Sequence, residues 1–175
     1  DPSISRAGIL TNINDKRLLA LLGVKPFLEE KSMVLEQIDK SVPRFAAFNS
    51  AQKVASLNEA LEKLKSPHFN VAKQITFENS GRFSTEQRDF ALLDYSQIDN
   101  EKIHIKITDE VGRYIFFGDR FFSGWKAEFN GKSLKIKRAN GIFMGVELPN
   151  GAGDLTFSYE PPMFSKAVTY SLFCL

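Results

Sequence analysis

Residues 125–159 have the sequence WKAEFNGKSLKIKRANGIFMGVELPNGAGDLTFSY, and this stretch decides the fold class. The pair Asn-Gly occurs in it three times, as Asn130-Gly131, Asn140-Gly141 and Asn150-Gly151. Asn-Gly tolerates positive φ at both central positions of a type I′ turn, which is the tightest connection between two antiparallel strands. The stretch therefore predicts four consecutive antiparallel strands, at Trp125–Phe129, Ser133–Arg138, Ile142–Leu148 and Leu155–Tyr159.

The two-residue alternation of apolar and polar side chains extends upstream to about Arg88. Alternation of this kind is typical of strands that bury one face. It adds three predicted strands, at Phe90–Tyr95, Lys102–Ile107 and Arg113–Phe117. The predicted fold is mainly β, an antiparallel β-sandwich of about seven strands, either jelly-roll or immunoglobulin-like.

The first half of the chain has a mixed pattern that predicts an α+β lead segment with two short helices. One helix runs from an N-cap at Asn14 to a C-terminal cap at Gly23, and the other begins with the capping box of Ser56 and Glu59. Extended stretches are predicted at Val24–Leu28, Met33–Ile38 and Arg44–Phe48. We expect residues 1–84 to form this lead segment, packed on a sandwich of residues 85–162.

Composition limits the possible functions. The 175 residues are 43% hydrophobic and 25% charged, which is typical of a folded domain in water. Lysine and arginine total 23 against 21 acidic residues, and a net charge of +2 gives little attraction to nucleic acid, so no nucleic acid partner is predicted.

Cys174 is the single cysteine and cannot form an internal disulfide. The chain opens without a signal-peptide pattern, so we expect its start to be internal or trimmed.

Residues 163–175 form an apolar run in which Lys166 is the one charged residue. The run is shorter than the roughly 20 residues that span a bilayer as a helix. Two interpretations stay open from this pattern. The run is either the start of a truncated transmembrane helix or a final strand that docks on the core.

Five elements in order carry a resemblance to a known family. They are the aromatic pair Phe121-Phe122, Gly124-Trp125, the turn Asn130-Gly131, Arg138-Ala139-Asn140, and Tyr159-Glu160-Pro161. In this order they resemble the C-terminal region of YfhO-type bacterial membrane proteins. A weaker likeness covers Leu18–Phe27 and Leu57–Phe69, and in the first of these Phe27 stands in place of the family's tyrosine.

The resemblance implies that the full protein is a multi-pass membrane protein, similar to integral-membrane glycosyltransferases that use lipid-linked sugars in cell-envelope glycan assembly. This part of it would lie on the extracytoplasmic side, periplasmic or outer, against the protein's own transmembrane region and the membrane surface. A transmembrane helix would begin near Phe164. The catalytic acids of such proteins would lie in loops outside this chain, so the resemblance assigns no catalytic residue here and no enzymatic activity to the fragment.

Four residues are candidates for ligand binding, namely Trp125, Tyr114, Arg138 and Phe143. Trp125 suits stacking on a sugar ring, but it alternates with Ala127 and Phe129, which favours core packing. Tyr114 belongs either to a strand that is buried on both faces or to a surface aromatic patch, and Phe143, which follows the turn at Asn140-Gly141, is the further aromatic candidate. Arg138 suits a phosphate of a lipid-linked sugar, although the nearby lysines at 132, 135 and 137 favour a solvated face.

The remaining sequence signals assign no catalytic, metal or cofactor site. His68 and His104 are isolated from other metal ligands, and the chain has neither a G-x-S-x-G nor a G-x-G-x-x-G motif. Two functions stay in view. The first is a non-catalytic extracytoplasmic domain of a membrane protein of glycosyltransferase type, and the second is a stand-alone carbohydrate-binding β-sandwich module.

Overall fold

The structure, a computed structural model, describes residues 16–23, 26–29, 34–37, 41–99 and 101–161. The chain divides into two compact units, Asp1–Val42 and Pro43–Leu175. The first unit contains helix α1 (Lys16–Leu21) and an antiparallel hairpin of β1 (Pro26–Glu29) and β2 (Val34–Gln37). Gly23 follows α1 with φ +73° and donates its backbone N–H to the Ala20 carbonyl at 3.1 Å, which confirms the predicted C-terminal cap. The predicted N-cap, Asn14, lies outside the described residues.

The second unit contains one helix and twelve strands within its described residues. The helix is α2 (Leu57–Lys65). The strands are β3 (Phe45–Phe48), β4 (Ala51–Val54), β5 (Ile75–Glu78), β6 (Ala91–Leu92), β7 (Tyr95–Gln97), β8 (Lys102–Ile107), β9 (Tyr114–Arg120), β10 (Trp125–Phe129), β11 (Lys132–Leu134), β12 (Lys137–Ala139), β13 (Phe143–Glu147) and β14 (Gly153–Tyr159).

These twelve strands form two sheets. One has seven strands in the order β4-β5-β12-β13-β9-β3-β6, and the other has five in the order β11-β10-β14-β8-β7. The β4–β5 pair is parallel, and every other strand pair described in the two sheets is antiparallel. The chain is therefore mainly β, as predicted, with nine strands where about seven were expected after residue 88.

One hydrophobic core takes side chains from both sheets. Phe157 of the five-stranded sheet lies 5.0 Å, ring centroid to centroid, from Phe117 of the seven-stranded sheet, and Phe117 stacks on Phe45 at 4.5 Å. Ala127 and Phe129 are buried in the same core, which confirms the predicted inward face of β10. Apolar burial on this scale is the main term that stabilises such a domain.

Two of the three Asn-Gly pairs form the predicted turns. Asn130 has φ +50° and Gly131 +75°, and they connect the paired strands β10 and β11. Asn140 and Gly141 have φ +46° and +83° and connect β12 and β13. The prediction for the third pair was wrong. Of that pair only Gly151 has positive φ, +106°, and it precedes β14, which lies in the other sheet from β13.

The predicted single strand at Ser133–Arg138 was also wrong. It is divided into β11, in the five-stranded sheet, and β12, in the seven-stranded sheet. Leu134 and Ile136 both pack against the shared core, one on each side of the change of sheet. The apolar alternation continues through the crossing because it records which side chains face the core. It does not record which strand lies alongside.

Helix α2 begins as predicted. The Ser56 hydroxyl accepts the Glu59 backbone N–H at 3.2 Å, and the Glu59 carboxylate accepts the Ala55 N–H at 2.7 Å. These bonds satisfy backbone donors that have no partner within the helix. Ala60 of this helix is buried, whereas Leu57 is 45% exposed.

Two further predictions concern the limits of the fold. Strands β3, β4 and β5, from the predicted lead segment, pair within the seven-stranded sheet, so this sheet joins strands from both sides of the expected boundary at residues 84 and 85.

The predicted start of a transmembrane helix at 163–175 lies outside the described residues. Among the residues that are described, no helix is both long enough and apolar enough to cross a bilayer.

Candidate functional site: a basic cleft where the chain changes sheets

An open cleft of about 600 Å³ lies where the chain passes from β11 to β12. One wall is the β10–β11 turn with β11 itself, and the other is the end of β13 with the residues that follow it. The crossing creates the cleft because β11 and β12 pair with partners in different sheets. Its lining residues are Arg113, Phe129, Asn130, Lys132, Ser133, Leu134, Lys135, Lys137, Glu147, Leu148, Pro149 and Asn150.

The lining of the cleft is strongly cationic. It has four basic side chains, Arg113, Lys132, Lys135 and Lys137, against the single carboxylate of Glu147, so its formal charge is 4 − 1 = +3. The whole chain carries only +2. In the part of the chain that the structure describes, none of the three lysines forms an ion pair. Positive charge concentrated in a concave surface attracts anions more strongly than the same charge spread over a convex one.

Arg113 is held in place at the edge of the cleft. Its Nε donates to the Leu148 carbonyl at 3.3 Å, and its Nη2 lies 3.8 Å from a carboxylate oxygen of Glu147. The backbone adds a further bond, from Leu148 N–H to the Arg113 carbonyl at 2.8 Å. A guanidinium fixed in this way loses less conformational freedom on binding an anion than a free side chain would.

The predicted phosphate ligand Arg138 lies outside this cleft. Its guanidinium carbon is 4.5 Å from the centre of the Phe121 ring, and its Nη1 is 3.6 Å from a carboxylate oxygen of Glu78. The structure thus gives Arg138 a cation–π contact and an ion pair. The basic side chains of the cleft are instead Arg113 and the lysines of the predicted solvated face.

Tyr114 and Phe143 are both buried. The Tyr114 ring is 5.6 Å from that of Phe77, and the Phe143 ring is 5.3 Å from that of Phe116. Burial raises the pKa of the Tyr114 hydroxyl, and the negative charge of Glu147 raises it further. Tyr114 pairs with Glu147 at one end of β9, and Phe143 pairs with Arg120 at the other end, so the structure does not bring the two together.

Trp125 lies at the edge of the shared core. Its ring meets Phe117 edge to face at 5.0 Å and lies 5.4 Å from Tyr159. Tyr159 in turn lies 6.4 Å from Phe122, which is 57% exposed. Three of the elements that carry the family resemblance therefore meet at one place, and Trp125 joins the core to an exposed aromatic surface.

The backbone at position 124, directly before Trp125, leaves no room for a side chain. Its φ is +111°, and a Cβ there would lie 2.6 Å from the Glu160 carbonyl oxygen and 2.9 Å from the Tyr159 ring. The Gly124 carbonyl also accepts the Glu160 N–H at 2.8 Å. The loop after β9 can therefore approach the end of β14 only without a side chain at this position.

We expect Gly124→Ala to destabilise the domain by about 1–3 kcal/mol, because it combines an unfavourable φ with contact against backbone. Urea denaturation followed by circular dichroism measures this change. Ser123→Ala, at the exposed neighbouring position, is the matched control and should change stability by less than about 0.5 kcal/mol. An equal effect of the two substitutions would show that the close approach at Gly124 contributes nothing.

The histidines do not mark a metal site in the described part of the chain. His104 Nε2 lies 2.9 Å from Asp154 Oδ1, across the pair of strands β8 and β14. Among the described residues no group of three or more His, Cys, Asp or Glu side chains is arranged to hold a metal ion.

Comparisons with known proteins place the chain in a family. The family described as "Bacterial membrane protein YfhO" matches residues 50–171, which is more than half of the chain. A protein of Bacillus subtilis (strain 168), named "Uncharacterized protein YfhO", is 32% identical over 63 residues, and the match covers 36% of this chain and 7% of that protein. The chain therefore corresponds to a small part of that relative's length.

Among solved structures, the arabinofuranosyltransferase AftD from Mycobacteria is similar over 45% of this chain and 6% of its own, with 17% identity and a TM-score of 0.37. A likeness at that level does not bear on function. The family match covers strands of both sheets, the basic cleft and the aromatic surface around Trp125. The chain belongs to the YfhO family of bacterial membrane proteins.

Proposed function

We propose that this chain is a non-catalytic extracytoplasmic domain of a polytopic membrane protein of glycosyltransferase type, which acts on lipid-linked sugars in cell-envelope glycan assembly. Family membership supports the membrane part of the proposal. The apolar run at 163–175, which follows β14 after three residues, supports anchorage through the C-terminal side of the domain. The fold suited to this role is an antiparallel β-sandwich, and the core shared by the two sheets supports that description.

The single observation that carries the role of the domain is the basic cleft. Sugars attached to lipid carriers are linked through phosphate, and many envelope glycans carry phosphate in their repeating units. Lysine and arginine side chains bind phosphate oxygens by charge-assisted hydrogen bonds. A cleft of formal charge +3, whose lysines form no ion pair with any residue that the structure describes, suits a phosphorylated group better than a neutral sugar. In this proposal the domain holds a phosphate of the glycan acceptor, and the reaction takes place elsewhere in the parent protein.

Two measurements test the proposal. Calorimetric titration of the 175-residue chain with pyrophosphate should show saturable binding that weakens as salt rises, because charge dominates the interaction. Soluble polyphosphate and vesicles containing a polyprenyl phosphate form two further arms, which distinguish a glycan phosphate from a lipid phosphate. Neutral oligosaccharide should not compete. Binding of the oligosaccharide without binding of pyrophosphate would favour the carbohydrate-binding module instead.

The side of the membrane is tested in the parent protein in whole cells. Lys132→Cys, at the exposed β10–β11 turn, in a Cys174→Ser background introduces a thiol for a membrane-impermeant maleimide. We expect labelling of intact cells to equal labelling of lysed cells. Labelling that requires lysis would place the domain in the cytoplasm and contradict the proposal.

A further inference from the structure

An apolar rim lies at the end of the second unit opposite the basic cleft. It consists of Phe122, Trp125, Tyr159 and Ile98, from the β9–β10 loop, the start of β10, the end of β14 and the β7–β8 connection. Trp125 pairs with Tyr159, and the Tyr159 N–H donates to the Glu101 carbonyl at 2.8 Å, which places all these elements at the same end of the five-stranded sheet. Ile98 is 61% exposed and Phe122 is 57% exposed.

The cleft is at the other end of the same strands. Trp125 begins β10, and Phe129, a cleft residue, ends it. Trp125 and Phe129 are four positions apart along the strand, which corresponds to about 13 Å at roughly 3.3 Å per residue. The two surfaces are thus on opposite ends of the domain, and they differ in chemistry, one being aromatic and apolar and the other cationic.

The described part of the second unit begins and ends at the end that carries the rim. Phe45, at the start of β3, pairs with Phe117, and the Arg44 carbonyl accepts the Gly118 N–H at 2.7 Å, near the end of β9. The end of β14 is Tyr159, itself a rim residue. The apolar run begins at Met163, so no more than about 14 Å of extended chain separates it from Tyr159.

We propose that this rim lies in the headgroup region of the lipid bilayer, with the basic cleft directed away from the membrane. Tryptophan and tyrosine are enriched at membrane–water interfaces, where an apolar ring and a polar tip are both accommodated. Exposed Phe122 and Ile98 at the same end of the sheet add apolar surface of the kind that enters the acyl boundary. The inference rests on the proposed function in one respect, the anchorage through 163–175, and the experiment separates the two.

Trp125 is the only tryptophan in the chain and therefore reports directly on the rim. The 175-residue chain with a C-terminal hexahistidine tag is attached to vesicles of phosphatidylcholine, phosphatidylglycerol and a nickel-chelating lipid. The tag provides attachment whether or not residues 163–175 insert. Nitroxide groups on the lipid headgroups should quench Trp125 fluorescence and shift its emission to the blue.

A tryptophan placed at the cleft serves as the matched control for Trp125 and measures lipid quenching at the opposite end of the domain. In the double variant Trp125→Phe/Lys132→Trp the single tryptophan lies at the cleft, and we expect loss of the lipid quenching. Equal quenching at both positions, or none at Trp125, would overturn the inference. A shift of Trp125 emission on adding neutral oligosaccharide, without lipid quenching, would also overturn it and assign the rim to a glycan.

Substitution of the exposed rim residues shows whether contact, and not the tether alone, brings Trp125 to the lipid. Phe122→Asn together with Ile98→Asn should reduce lipid quenching of Trp125 while thermal unfolding stays unchanged, since both side chains are exposed. Quenching that persists in this variant contradicts a contact through the rim. Anchorage by 163–175 is tested separately, by carbonate extraction of the untagged chain, so its failure is not confused with failure of the rim.

Discussion

Gly112→Ala should destabilise the domain by about 3 kcal/mol or more, a large part of the roughly 5–15 kcal/mol that stabilises a domain. Gly112 lies in the loop between β8 and β9. A Cβ at this position would be closer than 3.0 Å to backbone atoms of Phe48 and Asn49. Backbone cannot rotate away as the end of a long side chain does, so either the loop or the end of β3 must move.

That movement would disturb a well-buried part of the sheet. Phe48, which ends β3, pairs with Tyr114, which begins β9, and both side chains are buried. Loss of this pairing exposes apolar surface and leaves backbone groups without partners. Arg113, next to the substituted glycine, would be displaced from the cleft as well.

Gly131→Ala is the matched control, because a Cβ at Gly131 meets no atom within 4 Å. Its only penalty is the positive φ of +75°, which costs about 1–2 kcal/mol. Urea denaturation of both variants gives the two free energies of unfolding. A loss for Gly112→Ala no larger than that for Gly131→Ala would show that the close approach to Phe48 is unimportant.

Reversal of the charge at the three cleft lysines should abolish pyrophosphate binding. In the triple variant Lys132→Glu/Lys135→Glu/Lys137→Glu the formal charge of the cleft changes from +3 to −3, since each substitution subtracts two charges. An anion that was attracted is then repelled at close range. We expect affinity to fall at least about tenfold, which corresponds to roughly 1.4 kcal/mol, and titration calorimetry measures it.

A charge-matched control distinguishes the cleft from the net charge of the chain. Lys53→Glu/Lys102→Glu/Lys106→Glu also lowers the net charge from +2 to −4, at exposed positions outside the cleft. This variant should bind pyrophosphate within about threefold of the unmodified chain, because distant surface charges are screened by salt. Equal loss of binding in both variants would show that the anion responds to overall charge and that the cleft is not a site.

Lys137 needs a separate check, because its Nζ lies 5.8 Å from the centre of the buried Phe77 ring. Its replacement removes a cation–π contact and can reduce stability. The double variant Lys132→Gln/Lys135→Gln changes only exposed side chains and keeps the fold. It should weaken binding by a smaller factor than the triple variant.

Much of the β architecture was predictable from local pattern. The alternation of Ile103, Ile105 and Ile107 predicted a strand with one buried face, and all three side chains are buried. Asn130-Gly131 and Asn140-Gly141 predicted their turns correctly, because positive φ at both positions is a local property of these residue types. The start of α2 was predictable for the same reason, since a capping box needs only neighbours in sequence.

The candidate site was much less predictable. Arg113 was not predicted as an anion ligand, because nothing near it in the chain is basic or binds anions. It joins Lys132, Lys135 and Lys137 only when β9 and β13 pair in one sheet and the chain crosses to it from β11. The one usable signal was the group of lysines at 132, 135 and 137, which by itself is typical of a solvated face.

Local sequence was sufficient to identify the inward face of strands such as β8, two of the three tight turns, and the family that the motifs resemble. Each of these depends on residues close together in the chain, where backbone sterics and the two-residue period act directly. The fold in three dimensions was needed to show that β11 and β12 belong to different sheets, that Arg138 packs on Phe121, and that a cationic cleft and an aromatic rim occupy opposite ends. Those outcomes depend on strand pairing between distant segments, and alternation carries no information about the partner strand.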